Sequence, residues 1–289
     1  KGNRINFTAA FEEVSDIEAY SISPEKKKTK VKRIFTQDLE IENIFYHDMK
    51  YKYYLFEDLT EGSETYSSYK KIYKKPQFLD KFYFKGFLDC KSYKITLKVS
   101  NAVEIGYLLH GNETEKIKFS TSKEGDYTLF TWQMLDSEKQ DIFEGAPDFS
   151  YYAPHLIFYI KNYKNTLGTH NILGSIDNLY SFYYETVKNI NKADQTELKK
   201  QTLELIKDRL TDFEKTKAIF NYVQSKVNYV AFEDGMGGFI PREAADVYQK
   251  KYGDCKDMAN LLNEMLTYIL PGLEQGTTIT NTKTFRHQL

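Results

Sequence analysis

The hydrophobic pattern of this 289-residue chain changes period once, near residue 170, and that change limits the fold more than any other feature. Upstream, apolar residues recur at every second position. Tyr93, Ile95, Leu97 and Val99 alternate with Lys94, Thr96, Lys98 and Ser100. Successive side chains of a strand point to opposite faces, so this alternation describes a half-buried strand. Met49, Tyr51, Tyr53 and Leu55 interleave with Lys50 and Lys52 in the same way, and Phe130, Trp132 and Met134 share one face of a further run. Glu61-Gly62-Ser63, His110-Gly111-Asn112 and Glu124-Gly125-Asp126 punctuate these runs as turns. The 24 Tyr and 20 Phe suit pleated, half-buried surfaces better than helix interiors. Residues 1–170 are therefore expected to form an antiparallel β-sandwich.

Downstream the spacing becomes helical. Ile176, Leu179, Tyr180, Tyr183 and Val187 fall on one apolar face, and Phe213, Thr216, Phe220, Val223 and Val227 form a second stripe that core packing explains. Thr211 and Glu214 have the spacing of a capping box, in which a hydroxyl and a carboxylate satisfy free amides at a helix start. A short strand is expected over Val227 to Phe232, a glycine loop over Gly235-Met236-Gly237-Gly238, and a short helix over Arg242 to Tyr248 after Pro241. The loop lacks the G-x-G-x-x-G spacing of a dinucleotide site. The whole is read as α+β, with a second domain over residues 171–289.

Forty Lys and Arg against 41 Asp and Glu leave a formal charge of -1, which gives no overall field to attract nucleic acid. The basic run Lys26 to Arg33 alternates like an exposed strand, so it is read as a solvated, edge-protecting face. Asn6-Phe7-Thr8 and Asn112-Glu113-Thr114 match the N-glycosylation pattern, but nothing else supports that context. No apolar run is long enough to span a membrane, and a chain starting at Lys1 is expected to be a processed or trimmed piece. Two cysteines, Cys90 and Cys255, exclude a disulfide framework and a zinc cluster of paired cysteines. Cys90 enters an alternating strand and is read as structural. His47, His110, His155 and His170 lie in the β-rich part, where surface or hydrogen-bonded core roles are expected.

Cys255 has different surroundings. It lies between Tyr252-Gly253 and an apolar helical run reaching Leu266, with Asp254 as the helix N-cap. A thiol in the first turn meets unpaired backbone amides and the positive end of the helix dipole, which favour the nucleophilic thiolate. The same amides can point at the oxygen that becomes negative when a carbonyl is attacked. Asp254 and Asp257 oppose this by placing negative charge near the sulfur. On spacing alone, a buried structural cysteine is the plainer reading.

Tyr252-Gly253-Asp254-Cys255-Lys256-Asp257-Met258-Ala259-Asn260-Leu261-Leu262 resembles the nucleophile motif of the transglutaminase-like, papain-type cysteine superfamily. The preceding helix, the Val227-Asn228-Tyr229-Val230 strand, the glycine loop, Pro241 and Ala244-Ala245-Asp246-Val247 are similar to the approach such domains use, over about residues 210–270. The stretch 30–165, with Pro76-Gln77-Phe78 and Ser150-Tyr151-Tyr152-Ala153-Pro154-His155, resembles more loosely the β-rich domain of unknown function that precedes such modules in bacterial envelope proteins.

The resemblance implies Cys255 as nucleophile, followed by a histidine base and an orienting aspartate on neighbouring strands. His287 is the one downstream histidine, closer to the cysteine than the pattern leads one to expect, and no aspartate follows it. A domain incomplete at its C-terminus is therefore expected, through missing residues, truncation or a decayed triad. The implied activity is acyl-thioester chemistry on peptide or glutamine amides, leaning to hydrolysis over crosslinking, with no metal or organic cofactor. The implied address is periplasmic or cell-surface, by way of a signal peptide outside this chain. The implied partner is a protein or peptide substrate, with a cell-envelope protein or glycan as a further candidate. The alternative is a non-catalytic envelope-binding or scaffold protein with a degenerate cysteine domain, since fold alone does not prove activity.

Overall fold

A computed structural model describes residues 2–41, 44, 46–141 and 144–269. Strand accounts for 40% and helix for 26%, with antiparallel sheets in the N-terminal part and helices in the C-terminal part, as the change of period requires. Seven strands come first: β1 (Gly2–Thr8), β2 (Glu12–Ile22), β3 (Lys28–Lys30), β4 (Phe35–Asp38), β5 (Tyr46–His47), β6 (Met49–Leu55) and β7 (Glu64–Tyr73). Then follow β8 (Lys81–Tyr83), β9 (Cys90–Ser100), β10 (Val103–His110), β11 (Lys118–Glu124) and β12 (Tyr127–Ser137). After the short α1 (Phe149–Tyr152) come β13 (His155–Asn165), β14 (Gly168–Asn171) and α2 (Ile176–Val187). The remainder is α3 (Thr196–Ile206), α4 (Asp212–Lys226), β15 (Asn228–Tyr229), β16 (Phe232–Glu233), α5 (Ala244–Lys250), β17 (Tyr252–Gly253) and α6 (Cys255–Thr267).

By packing, the described residues divide into two compact units, one of residues 75–184 and one that joins 2–74 to 185–269. In the first, β11-β12-β9 forms one antiparallel sheet, and β10 and β14 flank β13 in another. The alternation along β9 becomes an alternation of burial, with Tyr93, Ile95 and Leu97 turned toward a core of Phe84, Ile117, Trp132, Met134 and Leu156. Gly125, in the turn between β11 and β12, has φ of 57°, a left-handed conformation that costs glycine little.

In the second unit, β1-β6-β4 and β3-β2-β7 enclose Ile5, Val14, Ala19 and Tyr54. The basic run supplies β3 at the edge of its sheet, and Lys28 and Lys32 pair with Glu18 and Glu57. A helical core of Leu198, Ile206, Ile219, Val223, Val227, Ala244, Val247, Leu261 and Met265 completes this unit. Two parallel strand pairs, β15 with β17 and β16 with β5, bring Tyr229 beside Gly253 and Phe232 beside Tyr46.

The expected apolar stripes need correction. α2 forms over the residues that carry its periodicity, yet Ile176 is 84% and Tyr180 66% exposed. On α4, Phe213 and Phe220 are exposed and Ile219 joins Val223 and Val227 in the core. The face of α4 that packs with α3 and α6 is rotated to one side of the expected stripe, so Ile219 is covered while Phe213 and Phe220 are not. Among the described residues, no helix is long and apolar enough to cross a membrane.

Candidate active site

Cys255 is the first residue of α6 and is exposed, so its sulfur is not sealed in apolar packing. The turn that presents it is built by two carboxylates. Asp254, the N-cap, accepts hydrogen bonds from the amides of Lys256 at 3.1 Å and Asp257 at 3.2 Å. Asp257 returns the bond, accepting from the Asp254 amide at 3.1 Å. This reciprocal cap satisfies most of the free donors of the first turn. Among the described residues the Cys255 amide has no hydrogen-bond partner, which leaves a donor at the sulfur-bearing residue itself.

Both carboxylates are nearly inaccessible and both are paired. Lys256 Nζ contacts Asp254 Oδ2 and donates to the Phe232 carbonyl at 3.2 Å. Arg242 Nε and Nη2 donate to Asp257 Oδ2 at 3.0 and 2.9 Å, and the Arg242 amide donates to Oδ1 at 2.8 Å. Arg242 Nη2 also reaches the Tyr252 carbonyl at 2.8 Å, and the guanidinium lies over the rings of Phe232 and Tyr252, 4.4 and 5.0 Å from their centroids. The negative charge that the sequence sets against a thiolate is thus offset by two cations. Gly253 makes room for this arrangement, because a Cβ there would stand 2.7 Å from Asp257 Cβ and 3.2 Å from Arg242 Nη2.

Further along α6, Asn260 and Glu264 face Asn191, which precedes α3 and holds φ at 61°. Asn191 Nδ2 donates to Asn260 Oδ1 and Glu264 Oε2, each at 3.0 Å, and its Oδ1 accepts from the Ala244 amide at 2.9 Å. Asn260 Nδ2 in turn donates to the Arg242 carbonyl at 2.9 Å. One side chain therefore joins the start of α5 to the middle of α6. Glu264 also accepts from Tyr268 at 2.9 Å, and burial, followed by this carboxylate, pushes the Tyr268 phenol up. The glycine loop is anchored as well: Asp48 accepts from the amides of Gly235 at 3.1 Å and Ala10 at 2.6 Å.

Residues 199–269, which contain this whole helix start, match the transglutaminase-like superfamily. The chain carries a transglutaminase-like domain. Ahead of it, residues 3–139 match the DUF3857 domain, a domain of unknown function with a solved structure. A structure from Parabacteroides distasonis described as a "putative protease" superposes with a TM-score of 0.66 at 16% identity, over 92% of this chain and 51% of that one. This chain thus spans about half the length of that protein, and at such identity the likeness concerns the fold. One from Cytophaga hutchinsonii, described as a "putative cysteine protease", gives a TM-score of 0.25 at 9% identity, over 90% of this chain and 66% of that one. Among curated proteins no match is found.

Of the residues singled out from sequence in the transglutaminase-like domain, Cys255 and Asp254 fall at the helix start, and His287 lies outside the described residues. Cys90 is elsewhere, half-buried at the start of β9, its thiol donating to the Ser92 carbonyl at 3.3 Å. Of the other histidines, His155 is buried with Nδ1 2.9 Å from the Ala153 carbonyl, and His170 Nε2 is 3.0 Å from Asn165 Oδ1. Among the described residues no group of three His, Cys, Asp or Glu side chains is placed to hold a metal. Sequence reasoning missed Arg242 and Asn191 as parts of the site. Arg242 carries a faint signal, following Pro241 just ahead of a helix, but nothing near it in sequence names its partner.

Proposed function

We propose that Cys255 is the nucleophile of a cysteine enzyme that cleaves amide bonds in a protein or peptide through an acyl-thioester, hydrolysis being favoured over crosslinking. One observation carries this reading: an exposed thiol at the first residue of α6, whose own amide is unpaired among the described residues and whose two neighbouring carboxylates are each held by a cation. The thiol proton passes to a base, the role the family resemblance gives to His287. The thiolate then attacks the carbonyl carbon, forming a C–S bond while the C=O electron pair moves onto oxygen. That oxygen is stabilised by the Cys255 amide.

Collapse of the adduct breaks the C–N bond, and the amine leaves with a proton. Water then adds to the thioester, the C–S bond breaks, and a carboxylic acid and the thiol are released. A glutamine carboxamide would release ammonia by the same steps, and an amine in place of water would give a crosslink. The chain's own residues supply nucleophile and oxyanion donor, so the reading calls for no cofactor. Its proposed address is the periplasm or cell surface, supported by the likeness of the β-rich part to domains of exported bacterial proteins.

The test is intact-mass analysis of the full chain with a peptide thioester or p-nitrophenyl ester. A mass increase of one acyl group that is lost in Cys255→Ala and kept in Cys90→Ala is expected. Product analysis with and without an added primary amine then separates hydrolysis from transfer. No acyl adduct on native protein that alkylates normally at Cys255 would leave the scaffold reading. Fractionation of cells expressing the complete gene product tests the address.

A further inference from the structure

Phe232, on β16, holds together the two charged residues that flank Cys255 in sequence. Its carbonyl accepts from Lys256 Nζ at 3.2 Å, and its amide donates at 3.4 Å to Asp254 Oδ2, the oxygen that Lys256 Nζ also contacts. These groups close a ring, so the ammonium stays on the carboxylate only while β16 keeps its place. Released from it, the long lysine side chain would turn its charge into water and leave Asp254 unscreened one residue from the sulfur. What fixes β16 comes from far upstream. It pairs with β5 over two residues only, Tyr46 opposite Phe232 and His47 opposite Glu233, and the Tyr46 amide reaches the Ala231 carbonyl at 3.4 Å. So short a pairing is weak by itself. The Tyr46 side chain adds what the backbone lacks, its ring lying on that of Phe232 with centroids 4.8 Å apart and planes 6° from parallel. Tyr46 is nonetheless 50% exposed, so filling a core does not account for it.

We propose that Tyr46 is a positioning residue for Cys255: stacked on Phe232, it holds β16 where the strand's backbone locks Lys256 onto Asp254. This deepens the acyl-transfer reading and rests on it. Tyr46 lies in the stretch that matches the DUF3857 domain and Phe232 in the transglutaminase-like match, so the first contributes to the nucleophile turn of the second. The other charged and titratable groups on the elements that meet at this turn are Asp257 on α6, Tyr252 on β17, Arg242 ahead of α5, Glu233 on β16, His47 on β5 and Tyr229 on β15. Replacing Tyr46 alters none of them, so any change it makes in the thiol comes through position. Tyr46 touches neither substrate nor reacting atoms, and no bond to it forms or breaks.

The test is the rate of iodoacetamide alkylation of Cys255 in the full chain carrying Cys90→Ser, followed by mass from about pH 5 to about pH 10, a range that brackets thiol ionisation. Tyr46→Thr keeps a strand-forming residue but has no ring to stack. Its rate profile should have a midpoint raised by about half a pH unit, as expected when a carboxylate near the thiol loses its screening partner. Tyr46→Phe, which can still stack, should lie nearer the native midpoint. Lys256→Gln should raise the midpoint as well, and adding Tyr46→Thr to it should raise it no further, because Tyr46 acts through that ammonium. A merely structural role would lower the melting temperature and leave the midpoint where it was. An unshifted midpoint in folded Tyr46→Thr, equal midpoints in the Phe and Thr variants, or shifts that simply add in the double variant overturn the proposal. Alkylation needs no substrate, so a shifted midpoint without any acyl adduct would sink the acyl-transfer reading alone, and an adduct without a shift would sink the role of Tyr46 alone.

Discussion

Arg242 and Asp257, fifteen positions apart, meet through three hydrogen bonds of 2.8 to 3.0 Å, two from the guanidinium and one from the Arg242 amide. The Asp257 side chain is 1% exposed and also accepts from the Asp254 amide, so a single carboxylate ties the segment before α5 to the turn that presents Cys255. The arginine has a charged partner, a carbonyl partner and two aromatic faces at once. A lysine lacks the planar fork needed to meet all four.

Removing the carboxylate leaves a guanidinium and two amides without their acceptor. Asp257→Ala is expected to destabilise the unit by about 3 kcal/mol, the lower end for breaking a buried charge pair, because Arg242 keeps some access to water. Arg242→Lys should cost less, about 1–2 kcal/mol, through lost hydrogen bonds. Equilibrium unfolding in urea measures both. Equal costs for the two would contradict the geometry.

Gly253 admits no side chain where it stands. Gly253→Ala should lower stability by about 1–3 kcal/mol, as overpacking does, because its methyl group would press on Asp257 and Arg242. It should also slow alkylation of Cys255 by displacing the helix start. A melting temperature equal to that of the native chain would show that the neighbours give way without cost.

Asn191 combines a left-handed backbone with a bridging side chain, two contributions that a pair of variants separates. Asn191→Gly keeps the conformation and loses the bridge, whereas Asn191→Ala loses both. The glycine variant is expected to cost about 2 kcal/mol for the buried partners left unsatisfied at Asn260, Glu264 and the Ala244 amide, and the alanine variant about 1 kcal/mol more. Calorimetric melting of both variants measures the difference.

His155 makes the unit of residues 75–184 sensitive to acid. Its imidazole is buried, and burial, aided by Lys81 and His110, lowers its pKa against a smaller opposing effect from the Ala153 carbonyl. A base whose folded pKa is depressed binds protons more readily when unfolded, so stability rises with pH across the interval between the two values. The contribution is therefore complete above the unfolded value of about 6.5 and is lost as pH falls toward the folded value. Denaturation midpoints between about pH 7.5 and pH 5 should fall in the native chain and fall less in His155→Gln. Parallel pH profiles would count against this role.

The readable parts of this protein are those whose partners lie within one turn. Thr211 with Glu214, and Asp254 with the amides of residues 256 and 257, close rings of a few residues, so their spacing announces them. Cys255 at a helix start is legible for the same reason. The faces of the elements were less so. β6 buries Tyr54 and leaves Leu55 63% exposed, and α4 exposes Phe213 and Phe220, although each segment has the expected period. Periodicity states that one face is apolar, but the neighbouring elements decide how much of it is covered.

By itself, then, the sequence determined an α+β chain, the capped helix starts at Thr211 and Asp254 and the placement of a thiol in a first turn, because propensity and capping act over three or four residues. Only the tertiary structure decided that Arg242 neutralises Asp257, that Asn191 reaches across 69 positions to Asn260, that Tyr229 pairs with Gly253, and that strands before residue 75 share a unit with the last helices. Contacts of that range exist only once loop closure has been offset by burial of the cores on which they sit, and no local pattern records which partner the closed chain will bring.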